Sequence, residues 1–381
     1  MKNIFLAAFL LMAGSLSAQV NLFEGSFEEA LAKAKAEDKP LLIDAYTDWC
    51  GPCKMLDREV FQNEEAGAYI NEHFVAYKLD MEKGEGPFVA MKFRVKSYPS
   101  TLFIGADGHL IDKVIGYGGV AGYLKTCGEM LEKPHFENIN ANNWKLDFPE
   151  FYRTTFTSDS WERAKPDPEK TNAFLAEQED LSTEVNWSII SGMSYYGHDY
   201  LGWAVENREE LLTMYPKSEV DNVVDKALSE AMKEVVEANP EISALDAATA
   251  VGTKFNMELV GESRDKLVIN FLYGQQDFAG LLAYLEDGIS TEPQLYMVNS
   301  IAWRIYQRND DQDVILRAIA LLEKALEKEE EHNSMDTLAH LYYKANQMDK
   351  AKVAAERTLE LAEEAGADMP DTVKLLEKLS E

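Results

Sequence analysis

The pattern of apolar positions along the chain changes near residue 134. Before that point, short apolar runs typical of buried strands alternate with segments in which apolar residues recur every three or four positions, as they do on one face of a helix. From about residue 169 onward only the helical spacing continues. The pattern therefore predicts a mixed α/β domain followed by an all-α domain.

The first part contains clear signals for individual elements. Apolar runs predict strands at residues 41–46, 74–79, 101–104 and 110–115. Ser26 and Glu29 form a capping-box motif, which predicts a helix that begins at residue 27 and ends before Pro40. A further helix is predicted through residues 88–93. The run Gly-Ala-Asp-Gly at residues 105–108 is typical of a hairpin turn between the last two strands.

Two cysteines directly follow the strand predicted at residues 41–46. Cys50 and Cys53 are one helical turn apart, and Gly51 and Pro52 between them favour the start of a helix. The unpaired N–H groups and the positive dipole end of that helix would stabilise a thiolate at Cys50. Cys53 would lie on the same face and could attack a mixed disulfide formed at Cys50. The pair therefore predicts a reactive dithiol, with Cys50 as nucleophile and Cys53 as resolving thiol.

With its flanking residues, this dithiol motif resembles the active site of the thioredoxin superfamily. The run from Trp49 to Lys54, Trp-Cys-Gly-Pro-Cys-Lys, has the commonest form in that family, and other positions match in order across residues 23–131. The resemblance implies a thioredoxin fold, a central mixed sheet flanked by helices, over residues 19–133. The other matching positions are Asp44, Lys78, Tyr98, Pro99 and Gly116.

The resemblance also implies roles for two charged residues. Asp44 would be a buried acid with a raised pKa that takes a proton from Cys53 as this thiol attacks the mixed disulfide. Lys78 would be its supporting partner, although the segment between Lys78 and Pro99 is longer than in a minimal thioredoxin. The alternative for Asp44 is an aspartate at a strand end that faces water.

Three further residues are implied to contact the substrate. Pro99 would follow a cis peptide bond, so that the backbone of Tyr98 faces the sulfur atoms and pairs with an extended substrate chain. Trp49 would shield the thiolate and contact the substrate, or simply pack against its neighbours. Without the resemblance, a trans proline that ends a loop would be expected at Pro99.

Residues 1–18 have the charged, apolar and small-residue regions of a secretory signal peptide. The mature chain is therefore expected to begin near Gln19 and to be exported, with the bacterial periplasm as the expected compartment. The alternative is an apolar N-terminus that stays attached as an anchor. No apolar run in the sequence is long enough for a transmembrane helix, so membrane insertion of the mature chain is not expected.

The chain is strongly acidic. Its 381 residues include 67 Asp and Glu against 37 Lys and Arg, which gives a formal net charge of −30. Such a surface repels nucleic acids and anionic membranes, so neither is an expected partner. Solubility is the simpler explanation of the charge, because the acidic runs lack the spacing of calcium-binding loops.

Apart from the adjacent pair, the only cysteine is Cys127. An exported protein with these cysteines has no framework of structural disulfides. Cys127 lies in a predicted helix that closes the first domain, as a buried small residue or as a third redox thiol. A zinc site would need a second cysteine pair or suitably spaced histidines, and the sequence has neither. Neither a metal nor a bound cofactor is therefore expected.

The second part begins with a boundary region at residues 134–168, where Asn and Pro interrupt the pattern but many aromatic residues indicate packing. Residues 169–381 are predicted to form an all-α domain of helical repeats. Helical spacing predicts helices at residues 172–179, 185–196, 201–215, 220–238, 264–273 and 278–286.

At about residues 295–365 the chain resembles the tetratricopeptide repeat family. Small residues recur at the spacing that close helix packing requires in that repeat, at Ala339, Ala351 and Thr358, and an earlier copy is visible at Ala318 and Ala325. Two repeats cannot bury their faces alone, so the preceding helices are expected to continue the stack. The resemblance implies a concave surface that binds a peptide or a protein.

These observations predict an exported thiol–disulfide oxidoreductase that reduces disulfides in proteins through Cys50 and Cys53. Electrons would come from, or pass to, the thiols of a partner protein, and the helical repeats would bind a partner or substrate. Gly-Pro between the cysteines resembles reducing thioredoxins, but the direction of transfer stays open, with disulfide isomerisation as the next choice. A different interpretation is an adaptor or a holdase chaperone in which the dithiol is secondary.

Overall fold

The computed structural model describes residues 19–156, 165–289, 292–365 and 367–380. The predicted signal peptide at residues 1–18 lies outside the described residues. The described chain forms two compact units, one that ends at Ala227 and one that begins at Leu228. The first unit contains the α/β domain together with the first helices that follow it.

A six-stranded mixed sheet forms the centre of the first unit. Its strands are β1 (Leu22–Phe23), β2 (Leu41–Tyr46), β3 (Val75–Asp80), β4 (Ser100–Ile104), β5 (His109–Ile115) and β6 (Phe136–Asn140). Their order in the sheet is β1-β3-β2-β4-β5-β6. Strands β1, β3 and β2 are parallel to one another, and the pairs β2–β4, β4–β5 and β5–β6 are antiparallel.

The central strand β2 is buried because its apolar residues face helices on both sides of the sheet. Leu41, Leu42 and Ile43 have no exposed surface, which explains why a continuous apolar run, rather than an alternating one, predicts this strand. The thioredoxin fold predicted for this part of the chain is confirmed. The helices of the α/β domain are α1 (Phe27–Glu37), α2 (Gly51–Leu56), α3 (Glu64–His73), α4 (Gly86–Phe93) and α5 (Gly119–Glu132).

Local signals explain several boundaries of these elements. The capping box of Ser26 and Glu29 is formed, with the Ser26 side chain accepting a hydrogen bond from the backbone N–H of Glu29. The hairpin between β4 and β5 is closed by Gly108, whose φ of 90° favours glycine. The active-site helix continues beyond α2 as a π-helical turn, Asp57–Phe61, which the sequence did not predict.

The sheet extends seven residues past the expected domain end at residue 133. Strand β6 pairs with β5, and the Asn140 side chain contacts His109 Nε2 at 3.0 Å. The sequence missed this strand because Ile139 is its only buried residue, and the surrounding asparagines are typical of turns.

Helices form the remainder of the first unit and the second unit. The predicted helix at 201–215 is two helices that meet at Asn207, and a helix at Ala244–Lys254 was not predicted. In chain order they are α6 (Glu150–Arg153), α7 (Pro168–Ala176), α8 (Glu184–Met193), α9 (Leu201–Glu206), α10 (Arg208–Met214), α11 (Lys217–Ala238), α12 (Ala244–Lys254), α13 (Gly261–Gln275), α14 (Phe278–Ala283), α15 (Leu295–Arg308), α16 (Gln312–Leu326), α17 (His332–Lys344), α18 (Met348–Ala365) and α19 (Pro370–Leu379).

In the second unit, consecutive helices from α15 to α19 pack against one another. Four of the five small residues with repeat spacing, Ala318, Ala339, Ala351 and Thr358, are buried in this packing, and Ala325 is half-buried. A small side chain lets two helix backbones approach closely. Among the described residues, none of the helices has both the length and the apolar character required to cross a membrane.

Candidate active site

Cys50 and Cys53 form a disulfide at the start of α2, with their Cα atoms 5.3 Å apart. Cys50 is the N-cap residue of this helix, and its Sγ accepts a hydrogen bond from the backbone N–H of Cys53 at 3.1 Å. Both cysteines are only 2% exposed, whereas Gly51 and Pro52 are exposed. The helix therefore begins directly after Cys50, where its unpaired N–H groups can stabilise negative charge on this sulfur.

Asp44 lies in β2 opposite Lys78 in β3, because the two residues are paired in the parallel ladder. The Lys78 Nζ is 3.6 Å from Asp44 Oδ2. Asp44 has no exposed surface, and neither of its carboxyl oxygens has a hydrogen-bond partner among the described residues. Asp44 is therefore a buried acid and does not face water at the end of a strand.

Burial raises the pKa of Asp44 from its ordinary value of 3.8 to about 7. The positive charge of Lys78 opposes this shift, and the negative charge of Asp57 adds to it. A carboxyl group with this pKa is partly ionised at neutral pH, so it can both accept and return a proton.

Asp57 is a member of this group that the sequence analysis missed. Lys78 Nζ forms hydrogen bonds with both carboxylate oxygens of Asp57, and it also lies 4.6 Å from the ring centroid of Tyr46. Asp57 stands four residues after Cys53 and therefore on the same side of the active-site helix. That spacing was the available signal, but the contact with Lys78 depends on how the helix packs against the sheet.

The Tyr98–Pro99 peptide bond is cis, as the resemblance to thioredoxins implied. The backbone N–H of Gly116 donates a hydrogen bond to the carbonyl oxygen of Pro99 at 2.8 Å. The rings of Tyr98 and Trp49 meet edge to face, with their centroids 6.0 Å apart. The structure thus brings together the loop before β4 and the residue that precedes the dithiol.

Trp49 is 52% exposed, and its indole N–H donates a hydrogen bond to Glu82 Oε2 at 2.9 Å. This bond fixes the orientation of the ring, while a large part of its apolar surface stays accessible. An exposed aromatic side chain beside a reactive disulfide can contact a substrate chain.

Cys127 belongs to the hydrophobic core formed by the sheet and α5, together with residues such as Leu56, Phe103 and Met130. It is a free, fully buried thiol. Burial raises its pKa to about 12, so the thiol stays protonated at neutral pH. Its burial as a small apolar residue is confirmed, and it lies apart from the disulfide pair.

Across residues 19–156, 165–289, 292–365 and 367–380, the structure contains no group of three or more His, Cys, Asp or Glu side chains that could hold a metal ion. The polar groups described above are the carboxyl groups of Asp44, Asp57 and Glu82 and the ammonium group of Lys78. This arrangement can exchange thiols and move a proton.

Comparisons with known proteins match this part of the chain. The family described as thioredoxin-like matches residues 23–106. A thioredoxin from Mycolicibacterium smegmatis is 30% identical over 115 residues, which cover 30% of this chain and 96% of that protein. A thioredoxin from Staphylococcus epidermidis is 39% identical over 84 residues, which cover 22% of this chain and 75% of that protein.

Among solved structures, a candidate disulphide-isomerase from Bacteroides thetaiotaomicron is similar to this chain with 40% sequence identity and a TM-score of 0.29. The match covers 30% of this chain and 96% of the other. A thioredoxin from Thermus thermophilus matches with 19% identity and a TM-score of 0.28, over 30% of this chain and 88% of the other.

Proposed function

Because the chain belongs to the thioredoxin family and is a thiol–disulfide oxidoreductase, we propose that it is exported and reduces disulfides in proteins of the bacterial periplasm. The observation that carries the direction of transfer is the Gly51-Pro52 pair between the cysteines. This pair resembles that of reducing thioredoxins, whose dithiol gives up its electrons readily.

In the proposed reaction the Cys50 thiolate attacks a disulfide of the client protein. A mixed disulfide forms between Cys50 and the client, and one client sulfur leaves as a thiolate, which takes up a proton. Cys53 then loses its proton to Asp44 and attacks the Cys50 sulfur. The second client sulfur leaves as a thiolate, the Cys50–Cys53 disulfide forms, and two electrons have passed to the client.

Asp44 is suited to this step because its pKa of about 7 lets it accept a proton at neutral pH. Lys78 keeps a positive charge 3.6 Å from the carboxyl group, which favours its ionised form. When a partner thiol protein reduces the Cys50–Cys53 disulfide again, Asp44 returns the proton to Cys53.

We place the client chain against Trp49 and against the backbone of Tyr98 and Pro99. The support for this assignment is the position of the cis peptide bond beside the Trp49 ring and the exposure of that ring. The client is a protein segment that carries a disulfide, because an extended chain can pair with the backbone of this loop.

A second part of the proposal concerns residues 295–365, which we assign to tetratricopeptide-like repeats that bind a peptide or protein partner. The buried small residues Ala339, Ala351 and Thr358 at the spacing of that repeat support this assignment. In this organisation the thioredoxin domain at 19–133 carries the chemistry, and the helical domain at 169–381 recruits the client or the electron donor.

The proposal is tested with the purified mature protein and the variants Cys50→Ser and Cys127→Ala. Reduction of insulin disulfides should be lost in Cys50→Ser and kept in Cys127→Ala, since only the first variant removes a sulfur of the pair. Retained reduction in Cys50→Ser would contradict the proposal.

The direction of transfer is tested by the reduction potential of the Cys50–Cys53 pair, measured by equilibration in glutathione or dithiothreitol buffers. A reductase is expected to have a reduction potential of about −270 mV, as thioredoxin has. A value of about −180 to −120 mV would instead indicate an isomerase or an oxidase.

A further inference from the structure

We propose that helices α8 and α11, which follow the thioredoxin fold, hold the substrate-binding loop in position, with Arg94 and Lys96 as positioning residues for Tyr98 and Pro99. The inference rests on the proposed reduction of protein disulfides, because it assigns part of the client-binding geometry to residues outside the α/β domain.

Arg94 joins the loop to both helices. It follows α4 directly, and its φ of 53° lies in the left-handed region that residues other than glycine rarely adopt. Its buried guanidinium group donates a hydrogen bond to Ser188 Oγ in α8 at 2.9 Å, and its Nε is 2.7 Å from Glu219 Oε1 in α11. The residue four positions before Tyr98 is therefore held from two sides.

Lys96 makes a second connection, two residues before Tyr98. Its Nζ donates a hydrogen bond to the carbonyl oxygen of Gly192 in α8 and lies 5.1 Å from the ring centroid of Phe156. Because Lys96 is an exposed residue, this contact fixes the loop without being part of the hydrophobic core.

Two further lysines, Lys92 and Lys113, stabilise the same region of the chain. Lys92 has no exposed surface, and its Nζ is 2.6 Å from Glu184 Oε1 in α8. Lys113 in β5 donates hydrogen bonds to the carbonyl oxygens of Phe93 and Arg94 at 2.9 and 3.0 Å. The cations thus come from the α/β domain and the carboxylates from α8 and α11. Neither side can bury its own charges without the other, because an unpaired buried charge is strongly unfavourable.

These contacts affect the reaction because they set the position of the loop that binds the client chain. A client chain can pair with the Tyr98 backbone only if the loop holds its position relative to the Cys50 sulfur. A small error in the placement of reacting groups costs much of the rate. A small disulfide that reacts at Cys50 without pairing with the loop does not depend on this placement. The two kinds of substrate should therefore respond differently when the connection is weakened.

The experiment uses the full mature chain with the variants Lys96→Met and Ser188→Ala. Steady-state reduction of insulin, with dithiothreitol as the electron source, gives kcat and KM. Reduction of dithionitrobenzoate, a small aromatic disulfide, is measured in parallel as a single turnover by the reduced protein after removal of dithiothreitol, because dithiothreitol itself reduces this compound. The kcat/KM for insulin is expected to fall about tenfold through a higher KM, which is less than the hundredfold loss of rate that a 1 Å misplacement can cause. The rate with dithionitrobenzoate and the reduction potential should stay unchanged.

Lys125→Met is the matched control. Lys125 is in α5, its side chain is 80% exposed, and its ion pair with Glu129 is within the same helix. This variant also removes a lysine, so an equal rise of the insulin KM in Lys125→Met would overturn the inference. Unchanged insulin KM in Lys96→Met and Ser188→Ala, or an equal loss with both substrates, would overturn it as well.

Amide hydrogen exchange of residues 95–98, which precede Pro99, gives a measurement that does not depend on activity. Exchange should be faster in Lys96→Met and Ser188→Ala than in the wild type and in Lys125→Met. Equal exchange in all of these proteins would overturn the inference. If the wild type itself does not reduce insulin, the proposed function fails, and the exchange result still decides whether α8 and α11 hold the loop.

Discussion

Asp44 places a carboxyl group in the centre of the sheet and away from water, on the strand that leads to the dithiol. A carboxyl group in such surroundings favours its neutral form, and this is why its pKa rises to about 7. The rise brings the group into the neutral pH range. In the proposed reaction Asp44 therefore exchanges a proton with Cys53 on each turnover.

Replacement of Asp44 by Asn should lower the rate of client reduction at pH 8 by about a hundredfold, the lower end of the range for general acid–base catalysis. In the wild type the rate should rise as the pH increases through about 7, because the ionised carboxylate is the form that accepts the proton. Single-turnover measurements from below to above that pH give the profile. If the rate of Asp44→Asn still rose with an inflection near pH 7, this role would be contradicted.

The two charged neighbours of Asp44 should move that inflection in opposite directions. Lys78→Met removes the positive charge that opposes the raised pKa, so the inflection should move to higher pH. Asp57→Asn removes a negative charge that contributes to it, so the inflection should move to lower pH. Each variant serves as the control for the other in the same pH profile. Shifts in the same direction would show that these charges do not act through Asp44.

The same pKa shift predicts an effect on stability. The unfolded chain loses the Asp44 proton near pH 3.8, whereas the folded protein keeps it up to about 7. The free energy of unfolding should therefore fall as the pH rises between these values. Asp44→Asn has no carboxyl group to ionise, so its free energy of unfolding should not fall over this pH range. Above pH 7 it should exceed that of the wild type by at most about 4 kcal/mol. Denaturant unfolding of the oxidised proteins at acidic and alkaline pH would detect the difference, which should disappear near pH 4.

Most of the residues at the dithiol could be predicted from the sequence because they lie in a contiguous motif or match a known order. Asp57 and Arg94 could not. Asp57 meets Lys78 only because the active-site helix packs across the sheet, and Arg94 meets Glu219 across a separation of more than a hundred residues. A single sequence carries no local signal for such a pairing.

At the level of elements, α4 and the residue directly after it carry the cations that face α8 and α11. The start of α4 depends on a close approach of two backbone segments. A Cβ atom added at Gly86 would lie 1.9 Å from the carbonyl oxygen of Asp80. At Gly122, within α5, an added Cβ atom meets no heavy atom within 4 Å. The two helices therefore tolerate a methyl group very differently.

Gly86→Ala should lower the free energy of unfolding by about 1–3 kcal/mol or more, because the backbone must move to make room. Gly122→Ala, the matched control, should raise it by up to about 1 kcal/mol, since alanine favours a helix interior over glycine. Denaturant unfolding of both variants would test this. Similar effects of the two changes would contradict the contact geometry of α4.

Elements with a strong local pattern could be predicted closely, and those without one could not. The bounds of β2 agree with the sequence because its apolar run is continuous and ends at the dithiol motif. The strand β6 was missed because its pairing with β5 depends on hydrogen bonds made by residues that look like a turn. A single helix was predicted at 201–215 because no Gly or Pro stands at Asn207, where the structure has a break between two helices.

At the level of the whole molecule, the α/β domain, the helices up to α10 and the first half of α11 form one unit, of which the sheet is only a part. The buried ion pairs of Lys92 and Arg94 join the two parts. The first helices after the sheet are therefore expected to matter for the handling of protein substrates, and the repeat-like helices for recruitment.

A chain of residues 19–242 ends after α11 and should reduce insulin and dithionitrobenzoate as the full mature chain does. A chain of residues 19–140 keeps the sheet but loses α8 and α11. It should react with dithionitrobenzoate at the same rate but show a raised KM for insulin, as expected when the loop is less well positioned. Steady-state kinetics of the two chains would test this, with circular dichroism as the control for folding. Equal insulin KM values would contradict it.

Because Cys127 is buried, alkylation of the native protein should report on the Cys50–Cys53 pair alone. The chain has three cysteines, two of which form the disulfide, while Cys127 is a free thiol. A protonated thiol in a packed core reacts slowly with alkylating reagents, so Cys127 should stay unlabelled in both redox states. Any label on the native chain therefore marks a molecule whose pair is reduced, and the mass of the alkylated protein gives the reduced fraction without an engineered probe, in a purified sample or in a cell extract.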